Sequence, residues 1–199
     1  MRKSAATLMG ALVLTGGLAA CSSGSAPTAS PTSTTSAAAT PLVSATLAAP
    51  AAEGTQPAGI TYNTALVPAG AKVAVGSTKD GSGTKVSLTA TGLLPNHDYG
   101  SHVHTKACGA KPADSGPHYQ DKKDPVTPSV DPAYANKDNE IWLDFTTDAK
   151  GDAKADASVK WSFRAGEANA AVVHATHTMS EAGKAGTAAD RRACVTAKF

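Results

Sequence analysis

Four histidines carry the chemistry this chain offers. His102 and His104 form a Ser-His-Val-His run, His118 sits in Ser-Gly-Pro-His, and His174 in Val-Val-His. On an extended chain, residues i and i+2 point to the same face. His102 and His104 therefore present two imidazoles side by side. Imidazole nitrogen suits copper, nickel, zinc and iron, so a strand carrying His-x-His is half of a metal site. A β-fold that brings distant strand ends together supplies His118 and His174 as the other half. A His-x-His pair alone is a weak signal, because two turn or surface histidines give the same pattern.

The elements that must position these rings read as strands. Thr61–Val67 and Lys72–Ser77 are extended in pattern, and Asp80-Gly81-Ser82-Gly83 is turn chemistry. Thr84–Thr91 alternates Val86, Leu88 and Ala90 against Lys85, Ser87 and Thr89, the signature of a half-buried strand. Leu93-Leu94-Pro95 makes a corner, and Asp98–Thr105 carries the paired histidines. The stretch 106–139 is irregular and holds five prolines; a loop of that length inside a domain is usually functional. Glu140–Thr146, Ala153–Phe163, Ala170–Ala175 and Arg192–Thr196 complete the strands, with a Gly/Ala loop over Gly183–Asp190. About eight short strands and no convincing helix predict an all-β antiparallel sandwich or barrel. Trp142 and Trp161 read as packing residues. His97 and His177 read as polar loop residues near the mouth of the site.

The chain begins Met1-Arg2-Lys3 and then runs apolar and small to Ala20. This is the pattern of an export signal, and its apolar core is too short to span a bilayer. Leu18-Ala19-Ala20-Cys21 resembles a bacterial lipobox, in which Cys21 becomes a lipidated first residue; several acyl chains give stable anchoring where one does not. Residues 22–59 are Ser, Thr, Ala, Pro and Gly-rich, with no aromatic residue and Glu53 as their one charge. Such a segment buries too little apolar surface to offset its ordering entropy. We expect a signal peptide over 1–20, a lipidated Cys21 with a disordered tether over 21–59, and one domain over 60–199, lipid-anchored on the extracytoplasmic side of a bacterial cell membrane. The formal charge is +2, and Arg2 and Lys3 account for it. No basic stripe exists, which argues against nucleic acid as a partner. A phosphate-binding glycine loop and a G-x-S-x-G elbow are both missing from the sequence.

Three cysteines less Cys21 leave Cys108 and Cys194. An oxidising compartment favours a disulfide between them, worth about 4–5 kcal/mol for so long a loop. The alternative is two thiols joining the histidines as metal ligands.

Taken together, these residues resemble the copper/zinc superoxide dismutase family. The order matches across Ile60–Phe199: Gly92-Leu-Leu-Pro95, Gly-x-His-x-His over Gly100–His104, a cysteine loop, Gly-Pro-His over Gly116–His118, Val-Val-His over Val172–His174, and Arg-x-Ala-Cys over Arg191–Cys194. The resemblance implies an eight-stranded antiparallel Greek-key sandwich of immunoglobulin-like type with long functional loops. It implies His102, His104, His118 and His174 as copper ligands, with His118 at the position that bridges copper and zinc and moves a proton. It implies a Cys108–Cys194 disulfide, Arg191 as the guide for superoxide, and dismutation to oxygen and hydrogen peroxide. A homodimer is one assembly open to the family, and the sequence does not choose it. The departure is at zinc. The family takes further histidines and an aspartate from the loop, yet between Tyr119 and Val173 this chain has no histidine. Asp121, Asp124, Asp131, Asp138 and Glu140 offer only oxygens, so a copper-only site is expected. The segment from His174 to Arg191 is also short for the family's charged guiding loop. Without zinc, the outer nitrogen of His118 needs another acceptor, and Glu140 or Asp144 is the candidate. A copper-storage or delivery protein of the same fold is the alternative reading.

Overall fold

In the computed structural model, the described residues are 42–199 together with the backbone of Ala38 and Ala39. The expected signal sequence, Cys21 and about half of the expected tether lie outside them. Among the described residues, ten strands form two five-stranded antiparallel sheets. The first sheet holds β1 (Ala38–Ala39), β2 (Val43–Thr46), β4 (Lys72–Asp80), β5 (Gly83–Thr91) and β8 (Ala153–Val159). The second runs β3 (Gly59–Thr61), β10 (Arg191–Thr196), β9 (Ala170–His174), β6 (Asp98–His104), β7 (Phe145–Thr146). Among the described residues, no helix is long and apolar enough to cross a membrane.

The alternation read from the sequence sets the layers. Val73 and Val75 of β4 and Val86, Leu88 and Ala90 of β5 meet Val103 of β6, Ala171 and Val173 of β9, and Ala193 and Val195 of β10 in one buried core. Strand period 2 turns the intervening residues of the second sheet the other way. His102 lies opposite Val172 and His104 opposite Ala170. Val172 and Ala170 pack with Ile60, Cys108 and Cys194 in a second cluster, apart from the main core. The second sheet thus has one face against the first sheet and another under the long loop that follows β6. That outer face is where the chemistry sits.

Eight strands lie beyond residue 58, as expected, but several boundaries differ: Lys72–Ser77 extends to Asp80, Ala153–Phe163 stops at Val159, and three further departures have a visible cause. The strand expected over Thr61–Val67 ends at Thr61, because the Asn63 carboxamide oxygen accepts from the amides of Ala65 and Leu66 and closes a turn. The strand expected over Glu140–Thr146 pairs as a ladder only at Phe145–Thr146, with a single bridge between His102 and Trp142. Its alternation survives: Ile141, Leu143 and Phe145 enter the core. The segment expected as a disordered tether over 21–59 is ordered over Val43–Thr46. Val43–Thr46 pairs with Lys72–Val75 on an edge of β4, and Leu47 is 1% exposed. The Leu47 amide donates to Ala71 and its carbonyl accepts from Gly70. An open sheet edge satisfies the backbone there, and the Val43-x-Ala45-x-Leu47 alternation supplies the apolar side.

The Cys108–Cys194 disulfide is present, with Cα atoms 5.7 Å apart and a sequence separation of 86. It ties the loop after β6 to β10 and removes both sulfurs from any role as thiolate ligands.

Leu47 tests whether this segment belongs to the fold. Truncation of so buried a side chain, Leu47→Ala, is expected to cost about 2–5 kcal/mol in denaturant unfolding. A change within about 0.5 kcal/mol, the usual range for surface sites, would show that the segment only rests on the surface.

Candidate metal centre

Strand geometry brings three of the four histidines onto one face. His102 and His104 stand at i and i+2 on β6. His174 ends the adjacent strand β9, opposite Gly100. The fourth, His118, comes from the long loop, which folds back so that His118 bridges His104 and the Tyr119 amide bonds the Val103 carbonyl. One ring nitrogen from each of the four lies within 4.8 Å of every other. The rings of His102 and His118 stack at 4.0 Å, and those of His104 and His174 stack at 5.7 Å. Among the described residues, no other group of three or more histidines, cysteines or carboxylates converges in this way.

Hydrogen bonds settle which nitrogen faces the centre. His104 Nδ1 donates to the Gly116 carbonyl at 2.9 Å, His174 Nδ1 to the Ala189 carbonyl at 3.2 Å, and His118 Nδ1 to Glu140 Oε2 at 2.9 Å. Each neutral ring then turns an Nε2 lone pair inward. His104 Nε2 and His174 Nε2 face one another at 3.5 Å, two acceptors with no proton to share. His102 is reversed: its Nε2 lies 2.8 Å from Thr178 Oγ1, and its Nδ1 is buried with no partner. A cation is what such a set of lone pairs lacks, and the donor set fits one.

Close backbone approach builds the walls. A Cβ on Gly100 would meet the Thr176 carbonyl at 2.6 Å and Ala188 at 2.8 Å, so the loop after β9 lies directly on β6. Gly116 has φ 72°, the left-handed region that glycine enters without strain. A Cβ there would meet Thr105 Oγ1 at 2.5 Å. Ala189 also has positive φ, 59°, and this turns its carbonyl toward His174.

Glu140 is 1% exposed and takes three donors. His118 Nδ1 and Trp142 Nε1 (2.7 Å) bond Oε2, and Gln120 Nε2 (2.8 Å) bonds Oε1. Trp142 thus has a polar task beyond packing. Asp144, the other candidate partner for His118, is not its acceptor. It lies by Gly100 and accepts from Thr178 instead, from Oγ1 at 2.5 Å and from the amide at 3.2 Å. Glu140, Trp142 and Asp144 alternate along their segment, but the two carboxylates stand at i and i+4, and Glu140 is the one that meets His118. Thr178 was not singled out from the sequence, since a loop threonine carries no signal of its own. The outer nitrogen of His118, where the family resemblance would put zinc, is held by Glu140. Asp124 accepts from Ser129, and Asp131 from the Ala133 amide. His97 bonds the Asp98 carbonyl and His177 lies 3.7 Å from the Asp98 carboxylate, both outside the cluster.

Arg191 lies opposite His174 across the β9–β10 ladder. Its Nη1 donates to the Pro112 carbonyl and to Ser115 Oγ, both at 3.0 Å. A β-bulge between Arg191 and Ala193 shifts the alternation by one residue, so Arg191 and Cys194 share the outer face although three positions separate them. A cavity of about 710 Å³, lined by His118, His174, Glu140 and Arg191 among others, opens on this side. His102 and His104 are fully buried behind it.

No family profile and no curated protein matches the sequence. Solved structures resemble its fold. Copper/zinc superoxide dismutase from Brucella abortus is 15% identical, with a TM-score of 0.49 over 81% of this chain and 99% of that one. A superoxide dismutase-like protein from Bacillus subtilis is 14% identical, with a TM-score of 0.42 over 62% of this chain and 88% of that one. A double mutant of that protein gives 16% identity and a TM-score of 0.48 over 63% and 88%. Its structural neighbours are superoxide dismutases and proteins like them. At such identities and TM-scores these likenesses carry no argument about chemistry, which rests on the site itself.

Burial also sets the protonation of the rings. Desolvation first, and the neighbouring histidines second, hold His102 and His104 well below the ordinary histidine pKa of 6.5. Desolvation, then His118, lowers His174 to about 3. Neutral rings are the form that binds metal. The unfolded chain takes up these protons first as pH falls, so the stability they confer is full above about pH 6.5 and declines below it. Metal-stripped protein should lose about 1.4 kcal/mol per pH unit for each such ring between about pH 6 and pH 5, read by denaturant unfolding. Equal stability at both ends of that window would contradict burial of neutral rings.

Proposed function

We propose that this chain is a copper-dependent, zinc-free superoxide dismutase of the copper/zinc family. In this reading it is exported and held at the outer face of the membrane through a lipid on Cys21. The observation that carries the catalytic reading is the convergence of four buried imidazoles on one point, with Arg191 beside the side that opens to the cavity. Four imidazoles favour copper over zinc by intrinsic affinity, and the disulfide removes the thiolates that would otherwise compete. Copper held there by His102, His104, His118 and His174 would supply one-electron chemistry, so that two superoxide anions and two protons would give oxygen and hydrogen peroxide.

The chain's own groups do the rest. The Arg191 guanidinium is charged at neutral pH and draws a small anion toward the exposed side of the cluster. The sheet behind His102 and His104 closes the opposite side to water. His118 keeps its Nδ1 proton on Glu140 and so keeps Nε2 as the atom that takes or gives a proton at the centre. Glu140 does for His118 what zinc does in the metal-bridged family: it fixes the outer nitrogen and the plane of the ring.

Two substitutions test these roles. Glu140→Gln sets an NH2 group where a carboxylate oxygen accepts. It should weaken copper binding about 10–100-fold in competition titrations, the usual range for such outer partners. Arg191→Met should retain copper yet lower the bimolecular rate with superoxide about tenfold in pulse radiolysis and flatten its dependence on salt. If copper-loaded protein is no faster than free copper while holding one cupric ion tightly, the protein holds or delivers copper without turnover. If it fails to retain one ion, the metal reading falls.

A further inference from the structure

Three of the rings are oriented by one hydrogen bond each to a carbonyl or carboxylate, groups that only accept. His102 is not. Its only partner is a hydroxyl, Thr178 Oγ1 at 2.8 Å, and a hydroxyl both donates and accepts. A threonine alone would leave the ring free to carry its proton on either nitrogen. The second contact of Thr178 removes that freedom. Its Oγ1 lies 2.5 Å from Asp144 Oδ1, and its amide bonds Asp144 Oδ2 at 3.2 Å. A carboxylate oxygen only accepts, so the single hydroxyl proton points to Asp144 and a lone pair faces His102. His102 then donates through Nε2–H, and its one lone pair is on Nδ1, the buried atom without a partner.

We propose that Thr178 and Asp144 are positioning residues that select the tautomer of His102 and hold its Nδ1 open toward the centre. The assignment deepens the metal-site reading above and rests on it for its purpose. The tautomer itself is a property of the metal-free protein. Asp144 packs closely over Gly100, where a Cβ would stand 3.2 Å from Oδ1.

The relay makes an unusual demand on Asp144→Asn. The Thr178 amide still needs an acceptor, which sets the carboxamide oxygen against it and the NH2 group against Thr178 Oγ1. The hydroxyl proton, displaced from Asp144, then has His102 Nε2 as its nearest acceptor, which favours the ring proton on Nδ1 and blocks the lone pair. Thr178→Val removes the hydroxyl with little change of shape and leaves both tautomers populated. Thr178→Ser keeps the relay.

Long-range nitrogen NMR of the imidazoles in metal-free protein at about pH 7.5, above the ordinary histidine pKa, reads the tautomers directly. The native chain and Thr178→Ser are expected to show His102 as Nε2–H, Thr178→Val a mixture, and Asp144→Asn the Nδ1–H form. Copper affinity should fall about 10–100-fold in Thr178→Val and at least as far in Asp144→Asn, and stay within about threefold in Thr178→Ser. A native His102 in the Nδ1–H form, or a Thr178→Val protein that keeps Nε2–H, would overturn the proposal whatever the copper data. Native protein showing Nε2–H but binding copper weakly would support the tautomer relay and count against the proposed function alone.

Discussion

A carboxylate taken out of water must be met by donors, or it destabilises the fold by several kcal/mol. Glu140 is such a group, and the long loop after β6 is arranged around satisfying it. His118, Gln120 and Trp142 come to its two oxygens from three points of the chain. Gln120 also donates to Ser129, and Ser129 to Asp124, so the demand of one buried charge passes outward and orders a proline-rich stretch with little regular structure. The same bond that satisfies Glu140 fixes the plane of His118. Structure and chemistry share a single hydrogen bond there.

The second sheet separates its two duties by face. Residues turned inward build an ordinary apolar core with the first sheet. Residues turned outward hold the imidazoles, Arg191 and Cys194. The loop that covers them is fastened by the disulfide, by Tyr62 Oη donating to the Gly109 carbonyl, and by Arg191 reaching Pro112 and Ser115. These fastenings surround the histidine cluster, so the orientation of His118 does not depend on loop propensity alone.

What was legible in the sequence was whatever a short pattern encodes. His-x-His on an alternating strand told which face it used, and the strand after the long loop offered Glu140 and Asp144 as candidates for the outer nitrogen of His118, while Trp142 read only as packing. Reach was not legible. Whether Glu140 or Asp144 meets His118 depends on how the loop is draped, which no spacing reports. Thr178 was invisible for a related reason: its role comes from two partners, 34 and 76 residues away. The strands before Gly59 were hidden by composition. Small and hydroxyl residues suit a flexible linker, and the edge of β4 that orders them is itself a tertiary feature. Asn63 ended an expected strand by a local side-chain turn that alternation does not count.

The bulge in β10 makes that strand sensitive to residue count more than to residue type. Side chains at Arg192 can vary without altering which way its neighbours point. Loss of one residue there would return the strand to strict alternation, and the guanidinium beside His174 and the sulfur bonded to Cys108 could no longer occupy the same side. Charge steering and covalent closure of the loop are therefore inherited together, through one extra amino acid in a short ladder.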